Sequence, residues 1–285
     1  TQGLFTAIAA FVRGGDEVIV FAPFYDSYVP AIETVGGRAV YASLQFPDYK
    51  PDWNQVRSLI TPRTRMIIVN SPNNPTGSLL DAADLDALAE LTRNTDIVVL
   101  SDEVYEHIVY DGARHLSIAA HPQLSTRSIV VSSFGKTYHI TGWKIGYILA
   151  EKELMKEFRK CHQFNTFSTH TPSQYAIADY LENPDHYLHL NDFFQQKRDL
   201  FIKGLTSTNF EVLPCEGTYF VTANYTKIND LPDDEFAKQL TIKNKVATIP
   251  ISAFYHDKTD NKVIRFCFAK KDETLLMALE NLKNL

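Results

Sequence analysis

The sequence predicts an α/β protein: a mainly parallel sheet with flanking helices, followed by a smaller α+β region toward the C-terminal end. Two observations carry this expectation. In the first half, short and nearly all-apolar runs alternate with amphipathic stretches, the pattern of strands buried on both faces between layers of helix. After about Thr171 that alternation gives way to a long helical stretch and then to clustered strand-like runs.

Leu4-Phe5, Ile8-Ala9 and Val12 recur at helical spacing and open the chain. The Gly14-Gly15-Asp16 turn leads into a strand at Val18–Phe21, and a helix from about Tyr25 to Val35 is ended by Gly36-Gly37. Further strands are expected at Arg38–Ser43, Met66–Val69, Ile97–Leu100 and Ser128–Ser132. Between the middle two, Asp81–Arg93 places Leu85, Leu88, Ala89 and Thr92 on one helical face. Asp185–Leu205, just past Asn183-Pro184, reads as one long helix. Strand-like runs follow near Glu211–Leu213, Tyr219–Ala223, Val246–Ile249 and Val263–Phe268, and Leu275, Leu276, Leu279 and Leu282 mark a closing helix. The expected division is a large domain over residues 1–182 and a small one over 183–285, with the long helix as the hinge.

The 285 residues are 45% apolar and 22% charged, the composition of an ordinary globular protein. A net charge of −6 gives no electrostatic reason to bind nucleic acid, and no apolar run is long enough to cross a bilayer. Cys161, Cys215 and Cys267 stand far apart with no CxxC spacing, which fits a reducing compartment and an expected cytoplasmic location. The chain begins at Thr1, without methionine, directly on a helical pattern, so a structured segment is expected to precede it.

In an open α/β sheet, ligands collect at the carboxyl ends of the strands, and three polar clusters fall there. Asn70-Ser71-Pro72-Asn73-Asn74-Pro75-Thr76-Gly77 follows the third strand, and alone it is a turn. Ser101-Asp102-Glu103, with Tyr105, follows the fourth, and alone the acid is a helix cap. The third cluster runs from Ser132 to Tyr147 and contains Ser133, Lys136 and Lys144. Asp185, His186 and His189 have a metal-like spacing, but they lie on a stretch expected to be a solvated helix, and no metal is expected.

In this order and at these spacings, NSPNNPTG, SDEVY, SSFGKTYHITGWKIGY and VIRFCF resemble the class I/II pyridoxal-phosphate-dependent aminotransferases of fold type I. The resemblance runs from Thr1 almost to the end of the chain. The wording FAPFYDSYVPAIETVGG, SSFGKTYHITGWKIGY and PCEGTYF is most similar to the methionine and kynurenine/glutamine aminotransferase branch.

The resemblance implies pyridoxal 5'-phosphate as cofactor and a role for each matching residue. Lys136 matches the lysine that holds the cofactor as a Schiff base and, once displaced, moves the substrate Cα proton. Asp102 matches the carboxylate that keeps the pyridine nitrogen protonated, since a nearby anion raises the pKa of a cationic group. Tyr105 and Asn74 match the partners of the cofactor's phenolic oxygen. Tyr25 matches the aromatic stacked on its ring, with plain core packing as the competing account. Ser133, Lys144 and the backbone N–H groups of Thr1 and Gln2 match the phosphate ligands. Lys144 supplies a point charge where many relatives carry the arginine fork. Arg265 matches the arginine that takes the substrate α-carboxylate, assisted by Asn74 and bordered by Asn70.

The implied activity is transamination between an L-amino acid of methionine, glutamine or aromatic/kynurenine type and a 2-oxo acid. A homodimer is implied as well. Residues upstream of Thr1 are expected to supply part of the small domain and of the substrate pocket. Two alternatives remain open on the residues alone: a cysteine-conjugate C–S β-lyase, which needs the same Lys136, Asp102 and Arg265, and a non-catalytic pyridoxal-phosphate-binding regulatory domain.

Overall fold

A computed structural model describes residues 1–285. The apolar runs of the first half form a seven-stranded sheet from β1 (Glu17–Ala22), β2 (Arg38–Gln45), β3 (Lys50–Pro51), β4 (Thr64–Asn70), β5 (Val98–Asp102), β6 (Ser128–Ser133) and β7 (Gly146–Ala150). Their order across the sheet is β3-β2-β1-β4-β5-β6-β7. The five central strands run parallel, while β3 and β7 close the two edges antiparallel. Every residue of β1 and β5 is buried, as continuous apolar runs require when helices cover both faces.

The second sheet is antiparallel: β8 (Glu211–Val212), β9 (Phe220–Asn224), β10 (Ile249–Pro250) and β11 (Val263–Cys267), in the order β10-β11-β9-β8. A large hydrophobic core surrounds the first sheet and takes in Leu213, Ile251, Phe254, Tyr255 and Val263 from late in the chain. A smaller core behind the second sheet recruits Tyr105, Ile108 and Tyr110 from the segment after β5. The segment that follows Asp102 therefore reaches from one core into the other. No helix is long and apolar enough to cross a membrane.

Two expected elements differ in extent. The helix predicted over Asp185–Leu205 is divided into Asp185–Leu188 and Leu190–Leu205 at His189, whose φ of −103° and ψ of 12° leave the helical region. Tyr187, just before the break, packs on His107 and Tyr138, so contacts with the larger sheet's loops decide the direction of the first piece. The strand predicted over Val246–Ile249 is reduced to Ile249–Pro250. Lys245 turns the chain with φ of 58°, and Pro250 has no N–H to extend the ladder. Elsewhere the expected strands and helices are present within a few residues of their predicted bounds.

Candidate active site

The parallel register brings the polar strand ends together. Asn70 at the end of β4 lies opposite Asp102 at the end of β5, and Asp102 lies opposite Val131 of β6, two residues before Ser133. Asn70 stitches the first two ends, its Nδ2 donating to the Asp102 carbonyl at 2.8 Å while its Oδ1 accepts from the Asn74 N–H at 2.8 Å. Ten of the eleven residues singled out from sequence line one cavity of about 840 Å³: Thr1, Gln2, Tyr25, Asn70, Asn74, Asp102, Tyr105, Ser133, Lys136 and Lys144. The eleventh, Arg265, stands beside it and donates from Nη1 to Asn74 Oδ1.

Asp102 is buried. Its Oδ2 accepts from the Tyr28 hydroxyl at 2.8 Å, and its Oδ1 accepts from the Val104 N–H at 3.3 Å. Burial pushes its pKa above the ordinary carboxylate range, although both hydrogen bonds pull the other way. No arginine or lysine pairs with it. Burial also pushes the phenols of Tyr28 and Tyr105 well above their ordinary value, which keeps both as donors.

Lys136 lies on a single helical turn, Phe134–Thr137, whose N-terminus is capped by Ser133 Oγ accepting from the Gly135 N–H at 3.0 Å. Its Nζ sits 5.7 Å from the ring centroid of Tyr219. Lys144 is exposed, on a left-handed residue with φ of 56°. Thr1 caps the helix Gln2–Phe11, so that helix points its free N–H groups into the same cavity, and Thr1 Oγ1 lies 3.3 Å from the Tyr25 hydroxyl. Arg265, the central residue of β11, is sandwiched between the rings of Phe220 at 4.0 Å and Phe254 at 4.9 Å. Desolvation lowers its pKa, and no carboxylate pairs with it.

Three side chains here escaped the sequence reading. Tyr28, three residues past Tyr25, falls inside the predicted helix with nothing in the sequence to single it out; only the folded register shows its hydroxyl on Asp102. Tyr219 was read as strand. Glu103 was overshadowed by its neighbour, yet it is buried and takes donors from Ser101, His115 and the Ile118 N–H; desolvation pushes its pKa up, but the bond and charge of His115, with the Ser101 hydroxyl, hold it below the usual range.

These residues fit pyridoxal phosphate on the structure's own terms. A desolvated carboxylate without a counter-cation suits a protonated ring nitrogen, an amine and a phenol flank the same space, and a helix N-terminus with a lysine suits a phosphate. The cavity is also within the size range of cofactor pockets, roughly 300–1,000 Å³.

Comparison with known proteins points the same way. The profile of the family "Aminotransferase class I and II" matches residues 1–282. The chain is 49% identical over 286 residues to the methionine aminotransferase of Escherichia coli (strain K12), spanning 100% of this chain and 74% of that protein. It is 35% identical over 314 residues to human kynurenine–oxoglutarate transaminase 1, spanning 98% of this chain and 74% of that protein. Among solved structures, YbdL from Escherichia coli, identified by structure and reactivity as a methionine aminotransferase, superposes with a TM-score of 0.98 at 49% identity over 100% of this chain and 75% of that one. N-succinyldiaminopimelate aminotransferase from Mycobacterium tuberculosis follows with a TM-score of 0.94 at 37% identity, over 99% of this chain and 75% of that one. The chain belongs to the class I and II aminotransferases, enzymes that use pyridoxal phosphate to move an amino group between an amino acid and a 2-oxo acid.

Proposed function

We propose that this chain transaminates an L-amino acid of methionine, glutamine or aromatic/kynurenine type against a 2-oxo acid, with Lys136 as the cofactor lysine. The observation that carries this reading is one cavity holding an amine, a phenol and a buried carboxylate that no lysine or arginine pairs, beside a desolvated arginine with no anion of its own. The likeness to a methionine aminotransferase at 49% identity favours methionine as the first donor to test. The relatives are transaminases by name, so transfer is adopted over C–S cleavage.

When bound, pyridoxal phosphate supplies an electron sink for the pair released as the substrate Cα loses its proton. Lys136 would anchor the cofactor through its Nζ and, as a free amine, would serve as the base and acid for the substrate Cα proton. Asp102, oriented by Tyr28, holds a proton on the ring nitrogen. Tyr105 and the amide of Asn74 would donate to the phenolic oxygen, and Tyr25, which lines the same cavity, would pack on the ring. Ser133, Lys144 and the N–H groups of Thr1 and Gln2 hold the phosphate. Arg265 grips the substrate carboxylate, its fork steadied by Asn74 and, through Asn74, by Asn70.

The same reading divides the chain into a cofactor domain, residues 1–182, and a small domain, 183–285, that carries Arg265 to the site. It includes a homodimer, which the exposed Phe164 (88%) and Phe167 (82%) support as apolar surface needing cover. It also includes the cytoplasm, in keeping with three free cysteines.

Two measurements test it. Incubation with methionine, glutamine or kynurenine and a 2-oxo acid is expected to yield the matching new amino acid and oxo acid; pyruvate with ammonia and thiol from a cysteine conjugate would instead indicate a lyase. Arg265→Ala is expected to raise the KM for the amino donor on the order of 10²-fold, the loss of a charge-assisted bidentate contact worth about 1.5–3 kcal/mol. The cofactor spectrum should be unchanged, and a KM left within error of the parent would rule Arg265 out as the carboxylate site.

A further inference from the structure

We propose that Tyr219 is a further positioning residue of this reaction, the aromatic surface that keeps the Lys136 amine aimed at the substrate Cα. The proposal rests on the assignment of Lys136 as the cofactor lysine.

Tyr219 and Phe220 stand together at the head of β9 and meet three functional groups. The Tyr219 ring faces the Lys136 Nζ at 5.7 Å and meets Tyr105 edge-on at 5.3 Å. The Phe220 ring faces the Arg265 guanidinium at 4.0 Å. One dipeptide of the second sheet thus sits against the amine, the phenol and the carboxylate-binding group.

The turn that delivers it is under strain. Thr218, fully buried, has φ of 66°, a left-handed conformation that a β-branched residue adopts only when its surroundings impose it. The surroundings here do so. The Thr218 N–H donates to the Ile108 carbonyl at 3.0 Å, and the Tyr110 hydroxyl donates to the Thr218 carbonyl. The Glu216 and Gly217 N–H groups both donate to the Gly77 carbonyl, at 3.1 and 2.9 Å. A Cβ at Gly217 would stand 2.7 Å from Pro72 Cβ and 2.9 Å from the Ile108 carbonyl, so only glycine fits. The clamps come from the loops after β4 and β5, the same loops that carry Asn74 and Tyr105. Strain maintained by the cofactor-binding loops fixes where the Tyr219 ring lies relative to Lys136.

An aromatic face suits the task. A carboxylate beside the amine would engage its hydrogens directly, whereas a ring attracts the amine's charged form through its quadrupole from one side and leaves the other directions about Nζ open toward Cα. Lys136 has no ion pair in the structure, and the Tyr219 ring is the group that faces its Nζ.

In the holoenzyme, Tyr219→Leu is expected to lower kcat roughly ten-fold, the scale of one lost cation–π contact. The KM for the amino donor should change less than about two-fold, because uniform binding is untouched. The isotope effect with Cα-deuterated donor should rise, since proton transfer becomes the slower step. Uptake of pyridoxal phosphate by the apo-protein, followed by absorbance and independent of turnover, should slow several-fold. Tyr219→Phe keeps the ring and should recover most of each loss; Tyr219→Met makes the same comparison should the leucine variant not fold. A folded ring-less variant with unchanged isotope effect and uptake overturns the proposal, as does a Tyr219→Phe protein as impaired as Tyr219→Leu. Borohydride reduction separates the two levels of the argument. Cofactor trapped on another lysine sinks the parent assignment and this proposal with it, whereas trapping on Lys136 with indifferent Tyr219 variants sinks this proposal alone.

Discussion

Lys136→Ala is expected to reduce turnover by at least about 10⁴-fold, the upper range for one general acid–base group before any loss of covalent attachment is added. The absorbance of the lysine-linked cofactor should vanish with it. Two lysines line the cavity, and the structure distinguishes them. Lys136 is held on a turn fixed at both ends, by Ser133 capping Gly135 and by the Ile140 N–H donating to the Gly135 carbonyl at 3.1 Å. Gly135 itself has Thr141 Cα only 3.0 Å from where a Cβ would stand, so the turn cannot move freely. Lys144 is exposed and sits on an irregular left-handed residue, which suits the proposed phosphate counter-charge better than a proton carrier. Lys144→Ala should therefore weaken cofactor retention while leaving the lysine-linked band intact at saturating cofactor. Spectra of both variants check this, and a full band in Lys136→Ala would end the assignment.

The strands and their terminal motifs were legible because a parallel sheet buried on both faces leaves continuous apolar runs, and polar residues at their ends stand out. Strand boundaries placed Asn70, Asp102 and Ser133 at the strand ends, and the resemblance of their motifs to a known family singled them out. The contacts that complete the site were not legible, because they join residues far apart in sequence. Tyr28 reaches Asp102 across 74 positions, whereas the Arg265–Asn74 contact, across 191, was expected through the family resemblance alone. The helix Lys152–Asn165, by contrast, was there to be read: Leu154, Met155, Phe158 and Cys161 recur at helical spacing, and Leu154 and Met155 pack with Phe158 on the large core. The break at His189 and the shortened β10 were decided by tertiary packing and by one proline, which no periodicity records.

Asp102→Asn is expected to separate stability from activity. An opposite charge at contact distance is worth about 1–3 pKa units, so an amide in place of the carboxylate should lower the ratio of protonated to neutral ring nitrogen by roughly 10–10³-fold, and kcat with it. Stability of the apo-protein should move the other way. Burial raises the folded-state pKa of Asp102 above its unfolded value, so the folded form holds this proton more tightly than the unfolded chain does. The destabilisation is absent below the unfolded pKa, grows as pH rises through the window up to the folded pKa, and is complete above it. Asparagine carries no charge to desolvate, and the Tyr28 hydroxyl, which donates to Asp102 Oδ2, can accept from an amide instead. The variant apo-protein should therefore melt at or above the parent's temperature at neutral pH, and the difference should shrink on acidification. A variant that loses turnover and melting temperature together would mean that Asp102 holds the β5 end in place rather than waiting, at a cost in stability, for a cation that only the cofactor supplies.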